Sequence, residues 1–376
     1  MTLRNEAASN AGKTVYYSAE EIEKAKSGLY PDLYPDTDWY KLVYRKAAPM
    51  MEYVVNFTGG GKTKYYLSLG YLNQESLVPG KNLDRYTARA NTSTTVSKAL
   101  TINSNLSFTK ENIYSGSADD VTVSLARITP TMVPVQSNGN WGTMNAGKLD
   151  ATLDGDNPLR KLAESGFNKN DATVFLGSVT ATLTPFKGMV VEGQLSYKDR
   201  NQTISTFRNE MNPLINFLTG NPITGSEVTP NSYEETWRKT NSYTAQLYAS
   251  YEKDINKHYF KLLVGTSYED NNFREVYAKR RNMLSNGMGN INAGSSADGD
   301  VFNSGYSTAD AFQSFFSRLN YSYADKYFIE GIFRADASSR FAKDNRWGYF
   351  PTVMASWRID KENFMHLLVK LVTCTT

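Results

Sequence analysis

From Met51 to beyond position 350 this chain repeats one pattern, apolar and polar residues in strict alternation, and few folds can use it. Met51, Tyr53, Val55 and Phe57 fall on one side of an extended segment, while Glu52, Asn56 and Thr58 fall mainly on the other. Leu100, Ile102, Leu106 and Phe108 alternate with Thr101, Asn103, Asn105 and Ser107, and Met189, Val191, Leu195 and Tyr197 with Glu192, Gln194 and Lys198. Tyr243, Ala245, Leu247, Ala249 and Tyr251 are interleaved with Thr244, Gln246 and Ser250, and Ile329 and Phe333 oppose Glu330, Arg334 and Asp336. Side chains of a strand point to opposite faces in turn, so each segment is a strand with one apolar and one polar face. About eleven such strands can be counted, several longer than the ~9 to 11 residues that cross a bilayer at a tilt, so the longest are expected to extend beyond it.

Aromatic residues sit beside the short turns. Tyr65 and Tyr66 follow a turn at 59–62, Tyr259 and Phe260 one at 254–257, and Tyr327 and Phe328 one at 324–326, with Phe57, Tyr251 and Tyr323 on the incoming sides. A soluble sheet has no physical reason to hold rings at one height, whereas amphipathic rings favour the lipid headgroup layer. The connections alternate as well. Tight turns near 59–62, 96–99, 184–188, 252–257 and 324–326 alternate with longer segments at 73–84, 109–171, 202–238, 272–308 and 337–346. Short turns at one end and long polar loops at the other are the asymmetry of an outer-membrane barrel. The expected fold is therefore all-β, an antiparallel transmembrane β-barrel seen in part.

Composition narrows the partners. Lysine plus arginine, 41, nearly balance aspartate plus glutamate, 38, giving a net charge of +3 and no basic footprint for nucleic acid. No run approaches the roughly 18 apolar residues of a membrane-spanning helix, and the mean hydropathy of −0.49 suits strands that turn one face to a polar lumen. One cysteine, Cys374, excludes an internal disulfide framework, and two histidines, His258 and His366, leave little for a structural zinc site. Residues 1–17 carry neither an apolar core nor a small-residue cleavage site, so an export signal is expected to lie upstream.

Residues 1–49 read as a loop segment with a short helix. Ser18 with Glu21 makes a capping box, Gly28 suits the helix C-cap, and Pro31 and Pro35 block continuation. Within the longest connection, 119–128 reads as either a short helix or a strand.

Motifs with chemistry are sparse. Gly59, Gly60, Gly61, Lys62 and Thr63 match the end of a phosphate-binding loop, but the first glycine of that motif would stand where Asn56 is, and a strand follows instead of a helix. Asp154, Gly155 and Asp156, and Asp298, Gly299 and Asp300, lack the spaced oxygen ligands and closing glutamate of a calcium loop, so both read as solvated turns. No nucleophile elbow and no metal-spaced histidine pair occurs. Trp141, Trp237 and the loop tyrosines could stack on a sugar ring or brace the loops. No catalytic, cofactor-binding or metal-ligating residue is assigned, no cofactor is expected, and substrate contacts stay unassigned.

Two segments carry a resemblance. YPDTDWYKLVYRKAAPMMEYVVNFTGGGKTKYYLSLGYLNQESLV at 34–78 and YADKYFIEGIFRADASSRFAKDNRWGYFPTVMASWRI at 323–359 resemble the SusC/RagA family of TonB-dependent outer-membrane transporters. The resemblance implies a barrel of roughly 22 strands closed around an N-terminal plug. It also implies a SusD-like surface lipoprotein over the loops, energy from the TonB complex through a segment not visible here, and oligosaccharide or peptide cargo. On this reading residues 50–365 form about half of the family's barrel, 366–376 form an atypical truncated tail, and the chain is a truncated, non-functional fragment. Eleven strands left open would expose unpaired edges to hydrocarbon, so insertion alone is not expected. A passive porin or surface adhesin on the same barrel, and a soluble all-β glycan-binding or glycan-degrading protein with its sheet covered by a second one, are the alternatives.

Overall fold

The alternation becomes one continuous sheet. In a computed structural model, which describes residues 1–116, 121–143, 157–362 and 364–365, eleven antiparallel strands pair in chain order. They are β1 (Met50–Gly60), β2 (Thr63–Glu75), β3 (Lys81–Thr95), β4 (Leu100–Ser115), β5 (Gly166–Leu183) and β6 (Met189–Arg208). β7 (Ser232–Ile255), β8 (His258–Arg281), β9 (Val301–Tyr323), β10 (Tyr327–Ser338) and β11 (Trp347–Trp357) complete it. Among the described residues β1 and β11 each pair with a single neighbour, so the sheet has two open edges. No helix among the described residues is long and apolar enough to cross a membrane.

Register keeps the two faces separate across the sheet. Val55 is opposite Leu69, Leu69 opposite Ala88, Ala88 opposite Phe108 and Phe108 opposite Phe175. Further along, Leu195 meets Ala245, Ala249 meets Val264, Leu262 meets Leu319, and Ile329 meets Ala355. A one-residue slip anywhere would turn a strand's apolar set to the polar side, so this unbroken register is what the pattern specifies. The apolar face has nothing packed over most of it: Leu195 is 67% exposed and Val353 78%.

Two rows of rings border that face. Nearer the long connections, Tyr71 packs on Tyr86 with centroids 5.0 Å apart, Tyr197 on Tyr243 at 4.8 Å, and Phe315 on Trp347 at 5.8 Å. Nearer the tight turns, Phe260 packs on Tyr321 at 5.0 Å, and Tyr327 on both Tyr323 at 6.4 Å and Trp357 at 6.3 Å. Tyr243 and Tyr251 mark both rows on β7, and the strand between them spans roughly 27 Å at ~3.4 Å per residue, or about 20 Å once tilted by ~40°. That is close to the ~25 Å apolar band of a membrane barrel. The aromatic pairs beside the turns split between faces: Tyr65, Phe260 and Tyr327 lie on the apolar side, whereas Tyr66, Tyr259 and Phe328 lie on the polar one. Adjacent strand residues cannot share a face, so each pair gives the rows one ring.

Connections are shorter than the alternation alone indicates. The link after β2 shrinks to 76–80, and β6, β7 and β8 extend to Arg208, from Ser232 and to Arg281. Gly166, with φ 114°, opens β5 where an added Cβ would lie 2.0 Å from the Phe207 carbonyl oxygen, and Gly188, with φ 87°, closes the β5–β6 turn 2.3 Å from that of Glu252 by the same test.

Residues 1–49 contain three helices where one was expected: α1 (Thr2–Asn10), α2 (Ala19–Ser27) and α3 (Trp39–Val43). α2 has the Ser18–Glu21 capping box and a left-handed Gly28 at its end. The segment at 119–128 includes a helix, α4 (Val121–Arg127), and α5 (Pro158–Glu164) follows in the same connection. Asp154 to Asp156 and the tail at 366–376 lie outside the described residues.

Candidate functional site

Charge on the polar face is distributed unevenly. On β7 to β10 every lysine and arginine of that face has a carboxylate partner. Arg238 Nε donates to Glu275 Oε2 at 2.6 Å, Lys279 lies 3.4 Å from Glu234, and Lys261 lies 3.1 Å from Glu252. Arg281 pairs with Asp300 at 3.3 Å, and Arg334 donates to Asp336 at 2.7 Å. Arg318 donates to Glu330 Oε2 through Nε at 2.7 Å, and Asn320 donates to the same oxygen. Most of these pairs depend on register: Arg238 stands directly opposite Glu275, Lys279 opposite Glu234 and Lys261 opposite Glu252, and Asn320 opposite Glu330 across the β9–β10 hairpin.

On β3 and β6 several polar-face cations are unmatched among the described residues. Arg89, Lys198 and Arg200 are exposed and make no ion pair or hydrogen bond through their side chains among the described residues. Arg85 likewise has no ion pair, although Glu111 stands opposite it on β4. A recess of about 590 Å³ crosses the polar face from β3 to β8, lined by Arg89, Lys198 and neutral amide and hydroxyl groups that include Asn91, Asn105, Gln194 and Thr244. Its one carboxylate, Glu269, already accepts from Asn271 at 2.8 Å.

Above this region the long connections pack into a layer with its own core. Trp39, Val43, Val121, Leu125 and Met132 form one buried cluster that joins the 1–49 segment to the β4–β5 connection, and the Trp39 indole donates to the Thr129 carbonyl at 3.0 Å. Phe207, Tyr233 and Met283 form a second cluster, which folds the β8–β9 connection against the ends of β6 and β7. Arg160 on α5 is only 2% exposed and links the two bodies. It donates to the Ser226 carbonyl at 2.8 Å, to the Asn212 carbonyl and to Glu164 at 3.3 Å, so its buried charge is fully bonded. Two asparagines clamp neighbouring loops by pairing with both backbone groups of one residue: Asn286 with Glu210, at 2.9 Å each way, and Asn231 with Met283, at 2.7 and 3.2 Å.

At the tight-turn end, Glu362 accepts from Tyr327 at 2.6 Å, Lys326 at 3.0 Å and Trp357 at 3.2 Å, which together hold its pKa down to about 2. Asp325, in the β9–β10 turn, is held below the usual carboxylate range by Lys361 and Arg358, each 2.9 Å away.

The sequence candidates separate clearly. Trp141 braces the loops, its indole donating to Glu164 at 2.5 Å beside a cleft of about 390 Å³. Trp237 is not a loop residue: it lies within β7, opposite Thr203 and Val276, on the apolar side of the register. Asp300 accepts from Asn282 at 2.7 Å, a bond that together with Ser295 and Arg281 keeps its carboxyl below the ordinary range, while Gly59 and Gly60 end β1. The charge asymmetry was not anticipated. Its residues stand in the sequence, but which cation faces which acid follows only from cross-strand register.

Comparison with known proteins gives a consistent picture. No protein-family model matches the chain. The chain is similar to the TonB-dependent receptor P26 of Formosa agariphila, 27% identical over 340 residues that cover 89% of this chain and 32% of that protein. It is also similar to the TonB-dependent receptor SusC of Bacteroides thetaiotaomicron, 28% identical over 382 residues, covering 93% of this chain and 35% of SusC. Among solved structures, the RagAB peptide importer in its open-open state aligns with a TM-score of 0.71 at 21% identity, over 97% of this chain and 42% of that one. The resemblance to SusC/RagA-type TonB-dependent receptors therefore covers most of the chain, and the fold is that of part of such a barrel. The chain spans about a third of the length of the curated relatives it matches.

Proposed function

We propose that this chain forms part of the barrel wall of an outer-membrane nutrient importer of the SusC/RagA type. The observation that carries the reading is the unbroken apolar face bordered by two aromatic rows, backed by a polar face and by connections that are tight at one end and long at the other. The similarity to TonB-dependent receptors supports the same reading. The apolar face meets lipid, the tight turns face the periplasm, and the loop layer faces outward. Oligosaccharide or peptide cargo enters from that side, a SusD-like lipoprotein covers the loops, and TonB supplies the energy.

The open edges set a condition on the assembly. In hydrocarbon, each unpaired backbone group costs several kcal/mol, so β1 and β11 must be paired by further strands. Both run from the long-connection end to the tight-turn end, because the strand count is odd. An all-antiparallel closure therefore takes an odd number of additional strands.

Two adjacent substitutions test the membrane reading. Leu195→Lys places a charge inside the apolar band, two residues from the Tyr197–Tyr243 row, at about 1 to 3 kcal/mol, whereas Ser196→Lys places it on the polar face. The expected result is loss of heat-modifiable, membrane-assembled protein for Leu195→Lys alone; equal behaviour of the two would refute the assignment of faces. Import itself is tested by deleting the gene, or removing TonB, and measuring uptake of labelled oligosaccharides and peptides. Unchanged uptake in both strains would contradict the importer reading.

A further inference from the structure

We propose that the lipid-facing side of β3 holds one acyl chain of an outer-leaflet lipid whose headgroup phosphate is bound by Lys110, an inference that rests on the membrane reading proposed above. The apolar face is not uniform. Along β3 its residues shrink to Ala88 and Ala90, while the strands on either side keep large ones: Leu69 and Phe108 stand directly opposite Ala88, and Leu67 and Leu106 directly opposite Ala90. The result is an apolar groove of about 340 Å³ with the two alanines as its floor, lined also by Phe57 and Phe175. Its walls stand two strand spacings apart, about 9.6 Å, so the floor is one strand wide. On β7, by contrast, Leu247 stands between Ala245 and Ala249 and interrupts any such trough.

The position of the groove determines what fills it. It opens on the face that looks away from the barrel axis, and strands that continue the sheet past β1 and β11 lie beside it, not over it. Ala90 is four residues from the ring pair of Tyr86 and Tyr71, about 10 Å in depth at ~3.4 Å per residue and ~40° of tilt, which keeps the floor in the outer half of the bilayer. Apolar contact alone cannot select a lipid, because hydrocarbon fills any groove of this face equally well. The selecting group stands at the outer end. Lys110 lies directly opposite Tyr86 on β4, at the level of the outer ring row, is exposed, and makes no ion pair or hydrogen bond through its side chain among the described residues. Of the two carboxylates diagonal to it on that face, Asp171 makes no ion pair with it, and Asp84 accepts instead from Tyr71 at 2.8 Å, Asn73 at 2.9 Å and Asn82 at 3.1 Å. A lysine at this height lays its stem on apolar surface and extends its ammonium into the headgroup layer, where the phosphate of a lipid seated in the groove meets it.

Quenching in vesicles tests this. With Cys374 replaced by serine, a bimane is attached either at Leu106→Cys, on the groove wall four residues from Lys110, or at Leu247→Cys, on the same face of β7 and four residues from Tyr243. Protein extracted from outer membranes is reconstituted in phosphatidylcholine vesicles, and quenching is titrated with phosphatidate and with phosphatidylcholine that carry a doxyl group in mid-chain. At Leu106→Cys phosphatidate is expected to bind about fivefold better than phosphatidylcholine, the effect of one lysine at the membrane surface, and at Leu247→Cys the two are expected to be equal. Lys110→Gln is expected to remove the preference and to leave quenching by phosphatidylcholine unchanged, which shows that the barrel still assembles. Ala88→Leu with Ala90→Leu, which fills the groove, is expected to lower quenching by both lipids about twofold at Leu106→Cys and to leave Leu247→Cys unaltered. Equal quenching by the two lipids at Leu106→Cys, as large a preference at Leu247→Cys, a preference that survives Lys110→Gln, no effect of filling the groove, or no quenching by either lipid, as when a second copy of the chain covers the groove, would each overturn the proposal. The comparison of Leu195→Lys with Ser196→Lys tests the lipid-facing side on its own, so the membrane reading can survive the loss of this site.

Discussion

The two halves of the polar face are built from the same residue types and differ in how their charges are resolved. From β7 to β10, lysines and arginines of the polar face meet carboxylates, most of them across neighbouring strands as Arg318 meets Glu330, and the charges of the wall are paired. On β3 and β6, Arg89, Lys198 and Arg200 are left open to solvent beneath the loop layer. Exposed ion pairs contribute little to stability, typically up to about 1 kcal/mol, so the pairing is better understood as removing charge from a surface than as holding it together.

The largest way to break this contrast is to take away the loop layer above the open wall. Phe207 is fully buried between Phe167 and Tyr233, and Phe207→Ala is expected to destabilise the packing of the β6–β7 and β8–β9 connections by about 3 to 5 kcal/mol. Hydrogen exchange should accelerate at 209–231 and 282–294 and stay slow in the strand ladders. A smaller change converts a closed wall into an open one. Glu330→Gln keeps the hydrogen-bonding shape but removes the charge that Arg318 pairs with, so it is expected to weaken the β9–β10 pairing by no more than about 1 kcal/mol, read as faster hydrogen exchange at 318–320 and 328–332.

The smallest expected effect concerns acidity at the tight-turn rim of the closed wall. Glu362 has an ordinary pKa of 4.5 and is held down to about 2 in the folded protein, so its carboxylate contributes stability that is fully present above 4.5 and is lost as pH falls toward 2. Protection against backbone exchange at 358–362, corrected for the intrinsic rate, is expected to fall over that window in the native chain and to fall less in Glu362→Gln, where Asp325 still titrates against Arg358 and Lys361.

How much of this could be read from sequence follows from what alternation reports. It reveals strands where one face is apolar, and so finds Leu100 to Phe108 and Tyr243 to Tyr251 without difficulty. It fails where both faces are wet. The stretch from Lys198 to Arg208 has little apolar alternation, yet the ladder continues through it because backbone pairing does not require a buried face. Helix signals behaved similarly. Ser18 with Glu21 marks α2, and Asn157 followed by Pro158, an N-cap before a proline at the first helical position, offered the same kind of mark for α5. The five-residue α3 is held by Trp39 packing on Val121 and Leu125, partners remote in sequence and invisible to any local pattern. The open wall was hidden for the same reason, since a cation is unmatched only relative to the strands that register places beside it.

Cysteine accessibility along β6 tests the central claim most directly. With Cys374 replaced by serine, single cysteines are placed from 189 to 200 in membrane-assembled protein and exposed to a water-soluble maleimide and to a lipid-soluble quencher. Odd positions such as 191, 193 and 195 are predicted to meet the quencher and even positions such as 192, 194 and 196 the maleimide, in strict alternation. Equal maleimide labelling at odd and even positions would contradict a sheet with one face in lipid.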